Sequence, residues 1–234
     1  MRVLVVTAVA AEADSVVAGL TGFERREVPP LPGGRTLTAG TTGGGALVGV
    51  LAGGVGPAAV AAATATALAV GDPYDLVVSA GIGGGFAPHA PLGSVVVADA
   101  VVAADLGADT PDGFLAVEEL GFGRGVHLPP AELTARMAVA TGAVLAPVLT
   151  VSTVTGTAAR TAELTARHPR AAAEGMEGFG VAEAAAGYAL PCAELRAISN
   201  VVGPRDRDAW RIGAALESLR RAVTLLTPVF EESS

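Results

Sequence analysis

Short apolar runs alternate with helix-forming segments along almost the whole chain, and this alternation constrains the fold more than any other feature. The run at 2–8 is mostly β-branched, which is typical of a strand covered on both faces. The segment 11–20 behind it has the composition of a helix. Strands that alternate with helices favour a largely parallel sheet with helices on both faces. We therefore predict an α/β fold.

The later elements continue the pattern, with two places where one predicted strand follows another. We predict further strands at 35–39, 46–51 (a hairpin with the preceding strand), 76–80, 94–104, 144–151 and 192–199, and further helices at 57–70, 132–141, 158–168, 178–187 and 208–226. Residues 22–34 are rich in Pro and Gly, and residues 105–130 have no clear periodicity, so both are predicted to be loops. No internal repeat and no linker divides the sequence, and we expect one domain over 1–234.

Charge and residue types exclude several functions. With a net charge of −8, the chain lacks the basic surface that a general nucleic-acid binder needs. All 15 cationic residues are arginine, which excludes a Walker A lysine and a Schiff-base lysine. The single cysteine, Cys192, excludes a disulfide framework, and the three histidines are far apart in the sequence. We expect no metal, no cofactor and no nucleic-acid partner.

The apolar N-terminus has the features of a buried strand and not of a signal peptide. Only Arg2 precedes the apolar residues, and Glu12 and Asp14 follow them at once. The sequence also has no uncharged stretch of about 18 strongly apolar residues. We expect a cytoplasmic protein with no membrane partner.

Chemically useful residues follow several of the predicted strands. In open α/β sheets, ligands bind beyond the carboxyl ends of the strands. The residues at those ends are Glu12, the glycine clusters 53–56 and 81–85, the segment 152–157, Met176–Glu177 and Ser199–Asn200. The cluster at 81–85 is either a tight turn or a cradle, where the absence of Cβ atoms lets backbone amides approach a ligand. Glu174 is interpreted as a solvated charge. Arg196 lies inside an apolar strand, where an arginine usually needs a partner for its charge.

Three segments carry a resemblance to a known family. They are Ser79-Ala80-Gly81-Ile82-Gly83-Gly84-Gly85, Gly175-Met176-Glu177-Gly178 and Arg196-Ala197-Ile198-Ser199-Asn200. The chain resembles the purine nucleosidases and nucleoside phosphorylases, in their bacterial nucleosidase branch. The resemblance implies a three-layer αβα sandwich around a mixed, largely parallel sheet. It also implies hydrolysis of a nucleoside's N-glycosidic bond without a cofactor, and a homodimer or larger homo-oligomer.

The resemblance assigns roles to individual residues. Glu12 would activate water for attack on the anomeric carbon of the ribose, and Arg196 would help to place that water. Glu177 would accept hydrogen bonds from the 2′- and 3′-hydroxyls, while Met176 packs on the sugar. The further substrate-binding residues that it implies are Gly81, Ile82, Gly83, Thr155, Gly156, Thr157 and Ser199.

Two positions depart from the family's pattern. Adenine-cleaving members carry Asp where this chain has Asn200, whose amide offers both a donor and an acceptor. Its NH2 suits the O6 and N7 acceptors of a 6-oxopurine such as hypoxanthine. Ile82 stands where the nucleosidases carry Ser, so a polar contact to the water is missing. The proton for N7 could come from Asp206, Asp208 or water.

Other functions remain open at this stage. A phosphorylase needs several arginine contacts or a nest of N–H groups, and no arginine here has a phosphorylase-like setting. A methylthioadenosine-type nucleosidase and a non-catalytic nucleotide-binding module would use the same fold. Residues 54–59 fit G-x-G-x-x-A, with Asp72 and Asp75 roughly 20 residues further on, which would suit an NAD-dependent oxidoreductase.

Overall fold

A computed structural model describes residues 1–232 of the chain. The strands are β1 (Arg2–Thr7), β2 (Glu24–Arg26), β3 (Leu37–Thr41), β4 (Leu47–Ala52), β5 (Leu76–Gly85), β6 (Val95–Ala103), β7 (Gly107–Thr110), β8 (Gly113–Ala116), β9 (Val126–His127), β10 (Val144–Thr150), β11 (Ala173–Gly175) and β12 (Cys192–Val201). The helices are α1 (Ala10–Gly19), α2 (Pro57–Val70), α3 (Ala131–Thr141), α4 (Ala158–Arg167), α5 (Gly178–Gly187) and α6 (Ile212–Glu231).

Ten strands form one mixed sheet. Its order is β11-β10-β6-β12-β5-β1-β4-β3-β2, with β9 attached to β6, while β7 and β8 form a separate hairpin. The central pairs β1–β4, β1–β5 and β5–β12 are parallel, and β12–β6 and β3–β4 are antiparallel. β11 also pairs antiparallel with β5, so one half of the sheet curls until its edge strand meets β5. The predicted mixed, largely parallel sheet is confirmed.

Helices cover both faces of the sheet. Val3 and Val5 of β1 lie in a buried cluster with residues of α1, α3 and α6. Leu4 and Val6 point the other way, into a cluster with residues of α2 and α5. Because successive side chains of a strand point to opposite faces, a strand buried on both faces reads as a continuous apolar run. The three-layer αβα arrangement is confirmed.

The glycine-rich segment 81–85 does not form a turn, because β5 continues through it to Gly85. Its glycines let neighbouring backbone approach closely. A Cβ on Gly83 would lie 2.6 Å from the carbonyl oxygen of Glu174, and one on Gly85 would lie 2.2 Å from that of Ala90. The prediction of a strand that ends at Gly81 is wrong, since the glycines permit this packing and do not break the strand.

The two predicted loops contain short strands, and one helix begins later than expected. β2 lies inside 22–34 and pairs with β3, and the hairpin β7–β8 and strand β9 lie inside 105–130. Strand β11 was not predicted at all. The final helix begins at Ile212, after a 3-10 turn at Arg207–Ala209 that Asp206 caps by accepting a hydrogen bond from the amide of Asp208. The hairpin β7–β8 pairs nearby residues, whereas β9 and β11 pair with residues far along the chain, which local sequence does not encode.

Candidate active site

A cavity of about 310 Å³ lies against the carboxyl-terminal parts of β5, β11 and β12 and the residues that follow β1. Its lining residues are Ala8, Val9, Glu12, Val55, Ile82, Gly83, Gly84, Val154, Glu174, Gly175, Met176, Glu177, Ser199, Asn200 and Trp210. Seven of the residues predicted for the site are among them. This is where open α/β sheets place their ligands.

Glu12 is a buried carboxylate in the first turn of α1, with only 4% of its surface exposed. One oxygen, Oε2, accepts hydrogen bonds from the amides of Ala8 (3.0 Å) and Val9 (3.3 Å). The other, Oε1, accepts one from the amide of Ile82 at 2.8 Å. Burial raises the pKa of Glu12, and the Ile82 amide and the charge of Arg196 offset this only in part. A carboxylate whose pKa is raised is a better proton acceptor, as a general base requires.

Arg196 lies behind the cavity and does not line it. Its Nη1 donates to Oε2 of Glu177 at 3.1 Å, and its Nε donates to Oε1 of Glu194 at 2.8 Å. Nη2 donates to the hydroxyl of Ser79 at 3.1 Å. Burial lowers the pKa of Arg196, but the nearby carboxylates raise it by more, so the guanidinium is charged. The geometry gives Arg196 a positioning role toward Glu177.

Glu177 is held from three sides at the start of α5. Its Oε1 accepts a hydrogen bond from the amide of Gly56 at 3.2 Å. Its Oε2 accepts from the amide of Met176 at 3.2 Å in addition to Arg196. The Gly56 amide belongs to the G-x-G-x-x-A segment, so that segment serves a carboxylate of this site. This use of the segment counts against the dinucleotide interpretation.

Two glycines make room for the charged groups. A Cβ on Gly81 would lie 2.6 Å from Oε1 of Glu12 and 2.8 Å from Nη1 of Arg196. A Cβ on Gly175 would lie 3.0 Å from Cζ of Arg196. Real Cβ atoms essentially never come closer than 3.0 Å, so a larger residue at position 81 would displace the carboxylate or the guanidinium, while one at position 175 would press on the guanidinium. Gly81 therefore supports the site without lining the cavity.

Ser199 and Asn200 form a polar edge of the cavity. The hydroxyl of Ser199 donates to Oδ1 of Asn200 at 2.8 Å and lies 3.1 Å from the carbonyl oxygen of Gly83. Nδ2 of Asn200 donates to the carbonyl of Val201 at 3.1 Å. An amide nitrogen has two N–H groups, so one remains for a ligand.

The segment 155–157 contributes less to the cavity than expected. Thr155 is buried and bonds to Glu174, Gly156 accepts a hydrogen bond from the amide of Arg205 at 3.1 Å, and Thr157 caps α4. Thr155 instead lines an adjoining pocket of about 210 Å³, which shares Asn200 and Trp210 with the main cavity.

Among the charged and aromatic lining residues, sequence reasoning missed Glu174 and Trp210. The interpretation of Glu174 as a solvated charge is wrong, since it is only 4% exposed and lines the cavity. The curl that pairs β11 with β5 buries it, and β11 was not foreseen. Val154, within the predicted segment 152–157, also lines the cavity, and so does Trp210. The chain's one tryptophan, close to the Asn200 segment, was the available signal for the last of these.

Within residues 1–232, no group of three or more His, Cys, Asp or Glu side chains is placed to hold a metal ion. No helix in that range is long and apolar enough to cross a membrane.

The fold and this arrangement of carboxylates define a class of protein. The chain belongs to the phosphorylase superfamily, whose family model matches residues 2–232. Among individual relatives, it is 59% identical to a futalosine hydrolase of Streptomyces coelicolor, over 99% of this chain and 97% of the relative. It is 47% identical to a futalosine hydrolase of Acidothermus cellulolyticus, over 95% of this chain and 89% of the relative.

Solved structures share the fold at lower sequence identity. A 5′-methylthioadenosine/S-adenosylhomocysteine nucleosidase from Colwellia psychrerythraea matches with a TM-score of 0.80 at 23% identity, covering 97% of this chain and 95% of the other. An S-adenosylhomocysteine nucleosidase from Streptococcus pyogenes matches with a TM-score of 0.81 at 19% identity, covering 98% and 97%. These matches confirm a nucleoside phosphorylase-like fold.

Proposed function

We propose that this chain is a nucleosidase that hydrolyses the N-glycosidic bond of futalosine. The products are hypoxanthine and dehypoxanthine futalosine, and the reaction belongs to the futalosine route to menaquinone. The observation that carries the proposal is the 59% identity to a futalosine hydrolase over nearly the whole of both chains. The segments 174–179 and 199–206 are also similar to futalosine hydrolase, and both contribute residues to the cavity.

Two carboxylates supply the chemistry at the sugar. Cleavage of an N-glycosidic bond builds positive charge on the ribosyl ring, and a fixed carboxylate stabilises that charge. Glu177 faces the cavity in a fixed orientation, where it accepts hydrogen bonds from the ribose hydroxyls while Met176 packs on the sugar. Glu12 removes a proton from the attacking water. The amide of Ile82 orients Glu12 from the backbone, although the family's serine hydroxyl is absent.

Asn200 receives the leaving base. The departing purine gains negative charge and needs donors near N7 and O6, and the free N–H of the Asn200 amide supplies one. The proton for N7 can come from water or from Asp206, which lines the adjoining pocket beside Asn200, whereas Asp208 lines neither pocket.

Hydrolysis fits the cavity better than phosphorolysis. Among the described residues that line the main cavity, none is an arginine, whereas three are glutamates. Phosphate binding requires cationic side chains or a nest of free N–H groups. The amides of Ile82 and Gly56 already donate to Glu12 and Glu177. Water is therefore the nucleophile that this cavity accepts.

The test is chromatography of the products released from futalosine, aminodeoxyfutalosine, methylthioadenosine and inosine, each with and without phosphate. We expect hypoxanthine and a free sugar from futalosine at a rate that phosphate does not change. Formation of a sugar 1-phosphate would refute hydrolysis. Faster cleavage of methylthioadenosine would assign the chain to the adenine-releasing nucleosidases, and binding of nucleosides without turnover would assign it to the non-catalytic class.

We also propose that residues 1–234 act as one nucleosidase domain, in the cytoplasm, as a homodimer or larger homo-oligomer. Exposed apolar side chains support the association. Within the segment 105–130 they are Leu106, Leu115, Phe122, Val126 and Leu128. Large exposed apolar patches on soluble proteins mark interaction sites, and a segment with five exposed apolar side chains is a candidate for one. Sedimentation of the wild-type protein beside Phe122→Ser/Leu128→Ser measures whether this segment meets a second copy.

A further inference from the structure

Glu174 is a buried carboxylate that none of the proposed catalytic steps uses. It lines the cavity with 4% of its surface exposed. Its Oε1 accepts a hydrogen bond from the amide of Thr155 at 2.9 Å, and its Oε2 accepts one from the Thr155 hydroxyl. Each carboxylate oxygen has two lone-pair sites, so Glu174 can accept a further donor.

The register of the sheet places Glu174 opposite Asn200 across a gap. Glu174 on β11 and Asn200 on β12 are both paired with Gly84 on β5. Residues paired directly across a sheet point to the same face, and neighbouring strands are about 4.8 Å apart. The Cα atoms of Glu174 and Asn200 are therefore separated by about two strand spacings, on the order of 10 Å.

Gly84 adds no side chain of its own between these two residues, and the atom nearest to a Cβ there would be Cγ2 of Val202 at 2.8 Å. A Cβ at position 84 would lie 3.2 Å from Nδ2 of Asn200. The amide nitrogen of Asn200 thus faces the gap, while its oxygen is bound by the hydroxyl of Ser199. Since Glu174, Gly84 and Asn200 all line the main cavity, the gap opens into it. The slot has an acceptor on one side and a donor on the other.

One edge of a 6-oxopurine has the complementary pattern. Its N1 carries a hydrogen and donates, whereas O6 and N7 accept. An ionised carboxylate only accepts, and an amide NH2 donates. In a 6-aminopurine, N1 accepts and the exocyclic nitrogen donates, so the same two side chains would meet it with the wrong groups.

We propose that Glu174 is a specificity-determining residue, which accepts the N1–H of the base while the one free N–H of Asn200 donates at the O6 and N7 edge. The inference rests on the proposed function for its substrate, and it extends base recognition to a residue on the opposite side of the slot. Ionised Glu174 is stabilised by the two Thr155 donors. Burial raises the pKa of Glu174, and these donors offset the effect only in part. A ligand N–H would stabilise the ionised form further.

Calorimetry of free bases tests this without turnover. We expect the wild-type protein to bind hypoxanthine ~10–100-fold more tightly than 1-methylhypoxanthine, which lacks the N1–H, as expected when a buried acceptor loses its donor. Equal affinities would overturn the proposal, and this comparison needs no variant. In Glu174→Gln, the preference for hypoxanthine should fall by a similar factor. The matched control is Glu132→Gln, an exposed residue outside the cavity.

Kinetics separate this inference from the proposed function. In Glu174→Gln, we expect the kcat/KM ratio of futalosine to aminodeoxyfutalosine to fall ~10–100-fold, because Gln can donate to the N1 acceptor of the 6-aminopurine. An equal fall for both substrates would overturn the inference. That result would mean that Glu174 only supports the Thr155 loop or donates a proton to N7 of the base. If wild-type protein cleaves no futalosine, the proposed function fails, while the calorimetry still tests Glu174.

Discussion

Arg196 and Glu177 form a buried ion pair directly behind the proposed sugar site, with 3.1 Å between Nη1 and Oε2. The same guanidinium bonds to Glu194 through Nε at 2.8 Å, so one arginine connects a cavity carboxylate to a carboxylate in the core. Breaking a buried pair leaves a charge uncompensated, which costs far more than losing a surface pair. The position of Glu177 therefore depends on a network that extends beyond the cavity.

We expect Glu12→Gln and Glu177→Gln each to lower kcat/KM for futalosine by ~10²–10⁴, the range for loss of a positioned base or charge-stabilising group. Both changes are nearly isosteric, so circular dichroism should show an unchanged fold. Glu27→Gln, at an exposed position, is the control and should retain full activity. Wild-type turnover in a folded Glu12 or Glu177 variant would remove that residue from the site.

Gly81→Ala should lower kcat/KM by ~10²-fold or more, because the added methyl would displace Glu12 or Arg196 and misplacement by about 1 Å can have this effect. Gly213→Ala is the matched control. No atom lies within 4 Å of a Cβ at that position in α6, and Ala is the better helix former. The control should be as active as wild type. Equal activity of the two variants would contradict the close packing at Gly81.

Arg196→Met should reduce the free energy of unfolding by about 3–5 kcal/mol, because Glu194 and Glu177 would be left buried without their cation. Urea denaturation measures the change. Adding Glu194→Gln to this variant should restore part of the stability, since one uncompensated charge is removed. If the double variant is no more stable than the single one, Glu194 does not depend on Arg196 for its stability.

The acidic limb of kcat/KM should have its midpoint above 4.5, the ordinary pKa of a glutamate, because burial raises the pKa of Glu12 and the base acts when ionised. The contribution of Glu12 to the stability of the fold has the opposite dependence on pH. A carboxyl whose pKa is raised in the folded state stabilises the fold below its unfolded pKa, and this contribution is lost as the pH rises through the folded pKa. Thermal melts at each pH would show that the rate falls while the protein stays folded. A midpoint below 4.5 would refute the assignment of Glu12 as the base.

Asn200→Asp should reduce cleavage of futalosine and raise the relative activity on aminodeoxyfutalosine. An ionised carboxylate would face O6 of hypoxanthine, and each mismatched buried group costs ~1–3 kcal/mol. With the 6-amino analogue, the carboxylate accepts from the amino group. The readout is kcat/KM for both substrates in both proteins. If their ratio does not change, Asn200 plays no part in selecting the base.

Several parts of the fold were predictable because their signals are local. The apolar run of β1, the proline at the start of α2 and the composition of α5 each indicate their own element without reference to distant residues. The resemblance then identified Glu12, Met176, Glu177 and Asn200 as site residues, and all four line one cavity. These residues immediately follow or begin predicted elements, so the rule for open sheets was sufficient to bring them together.

The sequence by itself determined the α/β class, the two-sided burial of the central strands and the family that the chain resembles through its candidate site residues. Only the tertiary structure decided that the glycines of 81–85 lie inside a strand and that Glu174 is buried opposite Asn200. The physical reason is the curl of the sheet, which pairs β11 with β5 over a distance of about 90 residues along the chain. No local pattern encodes that pairing. The pairing of β11 with β5 places Glu174 in the wall of the binding cavity.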